Sequence, residues 1–194
     1  MSSHLPPALL ALVLALLGVS CTPHSTYRVP GSTAFPEPDP EPVLYEWNDD
    51  LGPGKVAIRI NRTTNKATFT RGGRPIGWSY VATGKSSHPS PAGTFRITEK
   101  VVDKHSNRYG WIEDMEGNIV DGDAKYNQRV PPGCRYMPAP MPYWMRLTSY
   151  GIGMHAGTIP DPGHPASHGC IRLPEDFVPL LYEVAPIGTR VTIY

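Results

Sequence analysis

The reading of this chain turns on Ser167-His168-Gly169-Cys170-Ile171-Arg172-Leu173, with Met154-His155-Ala156-Gly157 a short way upstream. A thiolate is a strong nucleophile, and an imidazole able to take its proton is the minimum equipment for acyl transfer. Cys170 is therefore read as the nucleophile and His155 as its base. Gly169 lets the backbone bend beside Cys170. The N–H groups of His168, Gly169 and Cys170 are then the candidates to receive the negative oxygen of a tetrahedral intermediate. On an extended segment His168, Cys170 and Arg172 share one face. Arg172 offers a planar fork to a substrate carboxylate, or is a plain surface charge. His168 and Ser167 flank the same place as substrate contacts, with a local turn-holding role as the alternative for Ser167.

The segments around this stretch read as strands. Pro142 to Thr148 begins one, and Gly151 to His155 another that carries His155 near its end. Further back, Val56, Ile58 and Ile60 alternate with Ala57, Arg59 and Asn61, which is strand periodicity. Thr63-Thr64-Asn65-Lys66 turns the chain, Ala67 to Thr70 returns, and Arg71-Gly72-Gly73 turns it again before a third strand over Trp78 to Thr83. Short strands between turns point to an antiparallel sandwich or barrel. One helix is expected after Leu173. Pro174, Glu175 and Asp176 suit its start, and Phe177, Leu180, Leu181 and Val184 form its apolar stripe. Pro179 inside it predicts a kink or a late start. Arg190 to Tyr194 is a final strand.

His-x-Gly followed by Ser-His-Gly-Cys-aliphatic-Arg resembles the signature of the L,D-transpeptidase catalytic domain, the YkuD-like family. Thr83-Gly84-Lys85 with Pro91-Ala92-Gly93-Thr94-Phe95 resembles another part of that domain. The resemblance covers most of Val56 to Tyr194. It implies a mainly β, antiparallel β-sandwich with one helix near the C-terminus. It also implies that the backbone carbonyl of Ala156 orients His155, with Asp161 the only acidic alternative between His155 and Cys170. Many relatives carry Asn where Arg172 stands. The implied reaction has Cys170 attack a stem tetrapeptide of peptidoglycan and release D-alanine. The acyl group then passes to an amine of a second stem, to water, or to a protein lysine. Acylation of Cys170 by carbapenems follows from the same resemblance. No cofactor is implied.

Other readings compete. His155, His164, His168 and Cys170 are zinc ligands by type, but their spacing matches no familiar zinc pattern, so no metal is expected. A papain-like peptidase places its cysteine before its histidine, the reverse of the order here. A non-catalytic envelope lipoprotein would use Cys170 structurally. A Cys134–Cys170 disulfide would silence the thiol.

The N-terminal part reads separately. Met1 to Ser20 resembles a secretory signal around the apolar run Ala8 to Leu17, which is shorter than the ~20 residues of a membrane helix. Leu17-Gly18-Val19-Ser20-Cys21 resembles a bacterial lipobox, which makes Cys21 the expected lipid anchor at a membrane surface. Residues 21–55 form a proline-rich tether, with Pro36, Pro38, Pro40 and Pro42 alternating with acidic residues. The catalytic domain is placed at 56–194. Within it Val102 to Ala139 is an insertion positioned to lie over the site as a lid. The 18 basic and 17 acidic residues nearly cancel, giving +1 and no electrostatic case for nucleic acid.

Overall fold

The computed structural model describes residues 42–194. The expected signal segment and Cys21 lie outside the described residues, as does most of the tether.

The alternating stretch at Val56 forms β2 (Val56–Asn61), which pairs with β3 (Lys66–Arg71) across the 62–65 turn. Asn65 makes that turn with φ +48°, a left-handed geometry that Asn tolerates. β3 pairs with β4 (Arg74–Tyr80), and β4 with β1 (Tyr45–Trp47). Residues 45–47 fall within the expected tether. They are instead the edge of the sheet, and Tyr45 and Trp47 pack on its core. Proline content hid this strand.

The sheet is completed by β13 (Arg190–Ile193) and β5 (Gly93–Arg96), in the order β1-β4-β3-β2-β13-β5. β13 runs parallel to β2. A second sheet has the order β12-β11-β10-β6, from β12 (Ile171–Leu173), β11 (Gly153–Ala156), β10 (Trp144–Arg146) and β6 (Glu99–Val101). Its β11 and β12 are also parallel. The fold is mainly β, as expected, but the sheets are mixed rather than antiparallel. Parallel neighbours need a crossover connection, and both pairs here are separated by one.

Side chains from both sheets make one core, including Ile58, Phe69, Met154, Ile171 and Val191. The helix α1 (Val178–Val184) closes it. It starts late, with Pro179 in its first turn, where a missing N–H costs nothing. Pro174, Glu175 and Asp176 precede it. Leu180 is 44% exposed and leaves the stripe, whereas Val178, Leu181 and Ala185 are buried. Just before the helix, Phe177 is fully buried against Tyr45, Trp47 and Phe69, at ring centroid distances of 4.8, 5.4 and 5.2 Å.

The insertion is more ordered than its sequence suggests. It forms a three-stranded antiparallel sheet, β8 (Ile119–Lys125), β7 (His105–Asp114) and β9 (Cys134–Pro140), in the order β8-β7-β9. Ile112 and Glu113 pair with Asp121 and Ile119 at the tip of the β7–β8 hairpin. Irregular register along β7 and many exposed polar residues kept the rest from being read.

Phe177→Ala should lower the unfolding free energy by about 3–5 kcal/mol through the cavity left among three aromatic rings, measurable by urea denaturation.

Candidate active site

The parallel pairing of β11 with β12 builds the site. Met154 faces Ile171, His155 faces Arg172 and Ala156 faces Leu173. Successive strand residues alternate between faces. Met154, Ile171 and Leu173 enter the core, so His155 and Arg172 are turned the other way. There they line a cavity of about 1030 Å³, together with Cys170, Trp144 and Tyr109. That volume lies at the upper end of small-ligand sites and suits a peptide.

His155 is buried, with Nδ1 2.7 Å from the Ala156 carbonyl oxygen. A carbonyl only accepts, so Nδ1 carries the hydrogen and Nε2 holds the lone pair. Burial pushes the pKa of His155 down to about 4, against the Ala156 hydrogen bond, and the Arg172 charge adds to the lowering. The imidazole is therefore neutral at ordinary pH. Asp161, the alternative orienter, pairs with His164 at 2.9 Å instead.

Cys170 is a free thiol, partly open to the cavity although protein surrounds it on most sides. Its Sγ lies 3.7 Å from the Gly151 carbonyl oxygen. Burial pushes the thiol's pKa up, while the Gly153 N–H and the Arg172 guanidinium act in the opposite direction. Cys134, the proposed disulfide partner, is also a free thiol. Among the described residues no three Asp, Glu, His or Cys side chains come together as a metal site.

The loop before Cys170 is a bend, not a strand, so the expected shared face of His168 and Cys170 does not arise from strand geometry. Gly169 takes φ +112°, which a side chain would strain. Two serines bracket it. The Gly169 N–H donates to Ser167 Oγ at 3.1 Å, and Ser167 Oγ in turn donates to the Cys170 carbonyl. Ser90 Oγ donates to the Gly169 carbonyl at 2.7 Å and accepts the Gly84 N–H at 2.9 Å. The Ser167 hydroxyl is thus spent on the turn, which departs from its expected place as a substrate contact. The Gly169 amide is likewise engaged, leaving His168 and Cys170 as the amide candidates.

Thr83-Gly84-Lys85 runs beside this loop. The Ala166 and Ser167 amides both donate to the Thr83 carbonyl at 3.0 Å. Gly84 passes so close that an added Cβ would lie 2.0 Å from the His88 carbonyl oxygen and 2.9 Å from Gly169 Cα. Asn65 fixes the other end, its Oδ1 accepting from the Thr83 N–H at 3.1 Å and from Thr83 Oγ1 at 2.6 Å. Ser90 and Asn65 are supports that sequence reading missed. Only their burial and partners reveal them.

The His168 side chain turns to the insertion. Its Nε2 lies 2.9 Å from Asp123 Oδ1, and its ring stacks on Tyr109 with centroids 4.7 Å apart. The insertion therefore borders the cavity.

Residues 55–193 match the YkuD family, described as the L,D-transpeptidase catalytic domain. The chain belongs to this family. It is 29% identical over 147 residues to YqjB of Bacillus subtilis (strain 168), which is provisionally named an L,D-transpeptidase; the match covers 73% of this chain and 72% of that protein. The fold is shared with an L,D-transpeptidase from Mycobacterium smegmatis at TM-score 0.55 and 19% identity, over 73% of this chain and 59% of that one. The NMR structure of the catalytic domain from the E. faecium L,D-transpeptidase superposes at TM-score 0.53 and 21% identity, over 72% of this chain and 97% of that domain. Within the L,D-transpeptidase fold, His155 and Cys170 both line the cavity described above.

A neutral His155 and a raised Cys170 thiol leave little thiolate in the free protein near neutral pH. Alkylation of Cys170 by iodoacetamide should keep accelerating as pH rises beyond 9, without a plateau between pH 5 and 7. The His155 shift also bears on stability. Its folded pKa lies below the unfolded value of 6.5, so the unfolded chain binds the extra proton first. Stability should fall as pH drops from 6.5 toward 4, by roughly 3 kcal/mol at most, and His155→Gln should flatten that slope in pH-dependent denaturation.

Proposed function

We propose that the protein is a peptidoglycan L,D-transpeptidase. The observation that carries this reading is a free thiol open to the same peptide-sized cavity as an imidazole whose Nδ1 is locked on the Ala156 carbonyl. That lock puts the neutral ring's hydrogen on Nδ1, and burial keeps the ring neutral, so Nε2 is available as a general base.

The Cys170 thiol gives its proton to His155 Nε2 as sulfur attacks the carbonyl that precedes the terminal D-alanine of a stem tetrapeptide. The negative oxygen of the tetrahedral adduct is received by the His168 and Cys170 amides. Each such donor is typically worth ~2.7–4 kcal/mol in the transition state. The adduct collapses, the C–N bond breaks, and D-alanine leaves with the proton from His155. The acyl group is now a thioester on Cys170. An amine of a second stem then attacks it, His155 takes the amine's proton, and the thiolate departs and is reprotonated. The product is a crosslink between two stems. Arg172 holds a substrate carboxylate beside the reacting centre. The thiolate is needed only in the loaded site, which fits a thiol that rests protonated.

Action on the wall requires export, and the signal-like Met1 to Ser20 with Cys21 as a lipid anchor would supply it. Imipenem is bound in one of the matched structures, that of LdtMt1. A carbapenem should likewise acylate Cys170 here and add its mass to the protein, with no addition to Cys170→Ala.

Incubation with a stem tetrapeptide should release D-alanine and form a crosslinked dimer, both read by mass spectrometry. Cys170→Ala should abolish release, and His155→Ala should lower it by about 10²–10⁴-fold. Release without the dimer would make water the acceptor. Absence of D-alanine from the wild-type protein would overturn the assignment.

A further inference from the structure

The charged groups around the cavity are unevenly matched. Its lining carries the cations Lys104, Arg108, Arg146 and Arg172 against the single carboxylate of Glu175. Arg146 is neutralised by an ion pair with Glu99, and Lys104 lies within the field of the same carboxylate. Arg108 and Arg172 differ from these. Among the described residues neither guanidinium meets a carboxylate. Arg172 is half-buried and packs over Gly157, whose missing Cβ would lie 3.1 Å from its Cδ. Its backbone is fixed on one side by His155 and on the other by reciprocal hydrogen bonds with Ala82. Burial lowers the pKa of this guanidinium, opposed by the Cys170 sulfur and by no carboxylate. Arg108 comes from the opposite direction, on β7 of the insertion, one residue before the Tyr109 ring that stacks on His168. Two arginines without an ion pair thus line one peptide-sized space from two separate sheets.

We infer that this groove selects stem peptides by their free carboxylates, with Arg172 reading one beside the thiol and Arg108 reading a second from the insertion. The inference rests on the L,D-transpeptidase reading and adds a substrate class to it: stems whose carboxylates are ionised, rather than stems in which they are amidated. A guanidinium takes a carboxylate through two parallel hydrogen bonds and has no equivalent fit to an amide. The insertion then acts in substrate choice, not only as a cover.

The test uses full-length Cys170→Ala protein, so that binding is read without turnover. Two probes are compared by calorimetry. One is a stem tetrapeptide with all carboxylates free. The other is the same peptide with every carboxylate but the terminal one amidated. The free peptide should bind about tenfold more tightly, the worth of one charge-assisted hydrogen bond pair at a half-exposed site. Arg108→Gln, on an exposed side chain with no packing role, should weaken the free peptide by roughly three- to tenfold and leave the amidated one unchanged. Arg172→Gln should erase most of the remaining preference. Added salt should reduce the preference in the parent and have little effect in the doubly substituted protein. Equal affinity for the two probes, or an equal loss for both on Arg108→Gln, would sink the inference. D-alanine release by the Cys170-containing enzyme is followed in parallel. Turnover of both peptides at equal efficiency refutes the carboxylate selection alone. No turnover of either refutes the transpeptidase reading, while the binding comparison still decides whether the groove reads carboxylates.

Discussion

The pairing of β11 with β12 governs the rest of the molecule. A strand can serve two masters because its residues alternate between faces. Here one face supplies Met154, Ile171 and Leu173 to the core, and the other carries His155 and Arg172 into the cavity. Core packing therefore fixes the reactive groups in place. A slip of one residue in this register would bury the imidazole among apolar side chains and expose the core set. The parallel direction matters as well. It brings the segment leading into β12 alongside the start of β11, so Cys170 arrives next to the Gly153 amide.

Around that frame the loop leading into Cys170 is held by neutral hydroxyls and amides rather than by charges. Ser167 and Ser90 each bridge two backbone groups across Gly169 and Gly84, and Asn65 anchors Thr83 behind them. Such bonds, buried and fully used, contribute specificity of geometry and leave the local field to be set by the Arg172 guanidinium. The consequence for chemistry is a neutral resting pair. An imidazole held neutral by burial is a base at once, without first losing a proton.

Much of this was legible in the sequence. The alternation at Val56 and the turn at 62–65 carry local signals, and the structure places them as read; His155 and Cys170 stand out in the sequence as well, and both line one cavity. What escaped reading is non-local. Tyr45 and Trp47 look like the end of a proline-rich segment until Phe177 is seen beneath them. Ser90 sits in an unremarkable Pro-Ser-Pro, and only its contact with Gly169, far along the chain, gives it a task. Glu175 and Asp176 favoured a helix start that Pro179 postponed, because a proline is cheapest in the first turn. Asp123 and Tyr109 belong to a segment whose irregular register hides its strands, yet they hold His168.

The place of β13 between β2 and β5 bears on how the chain reaches its folded form. The hairpin of β2 and β3 can close early, but the place between β2 and β5 stays vacant until residues 190–193 are present. Any chain delivered from its amino end, by synthesis or by translocation, thus passes through a stage with two open strand edges and an unfinished core. Pairing across so long a stretch of chain is intrinsically slow, so the large sheet is completed late.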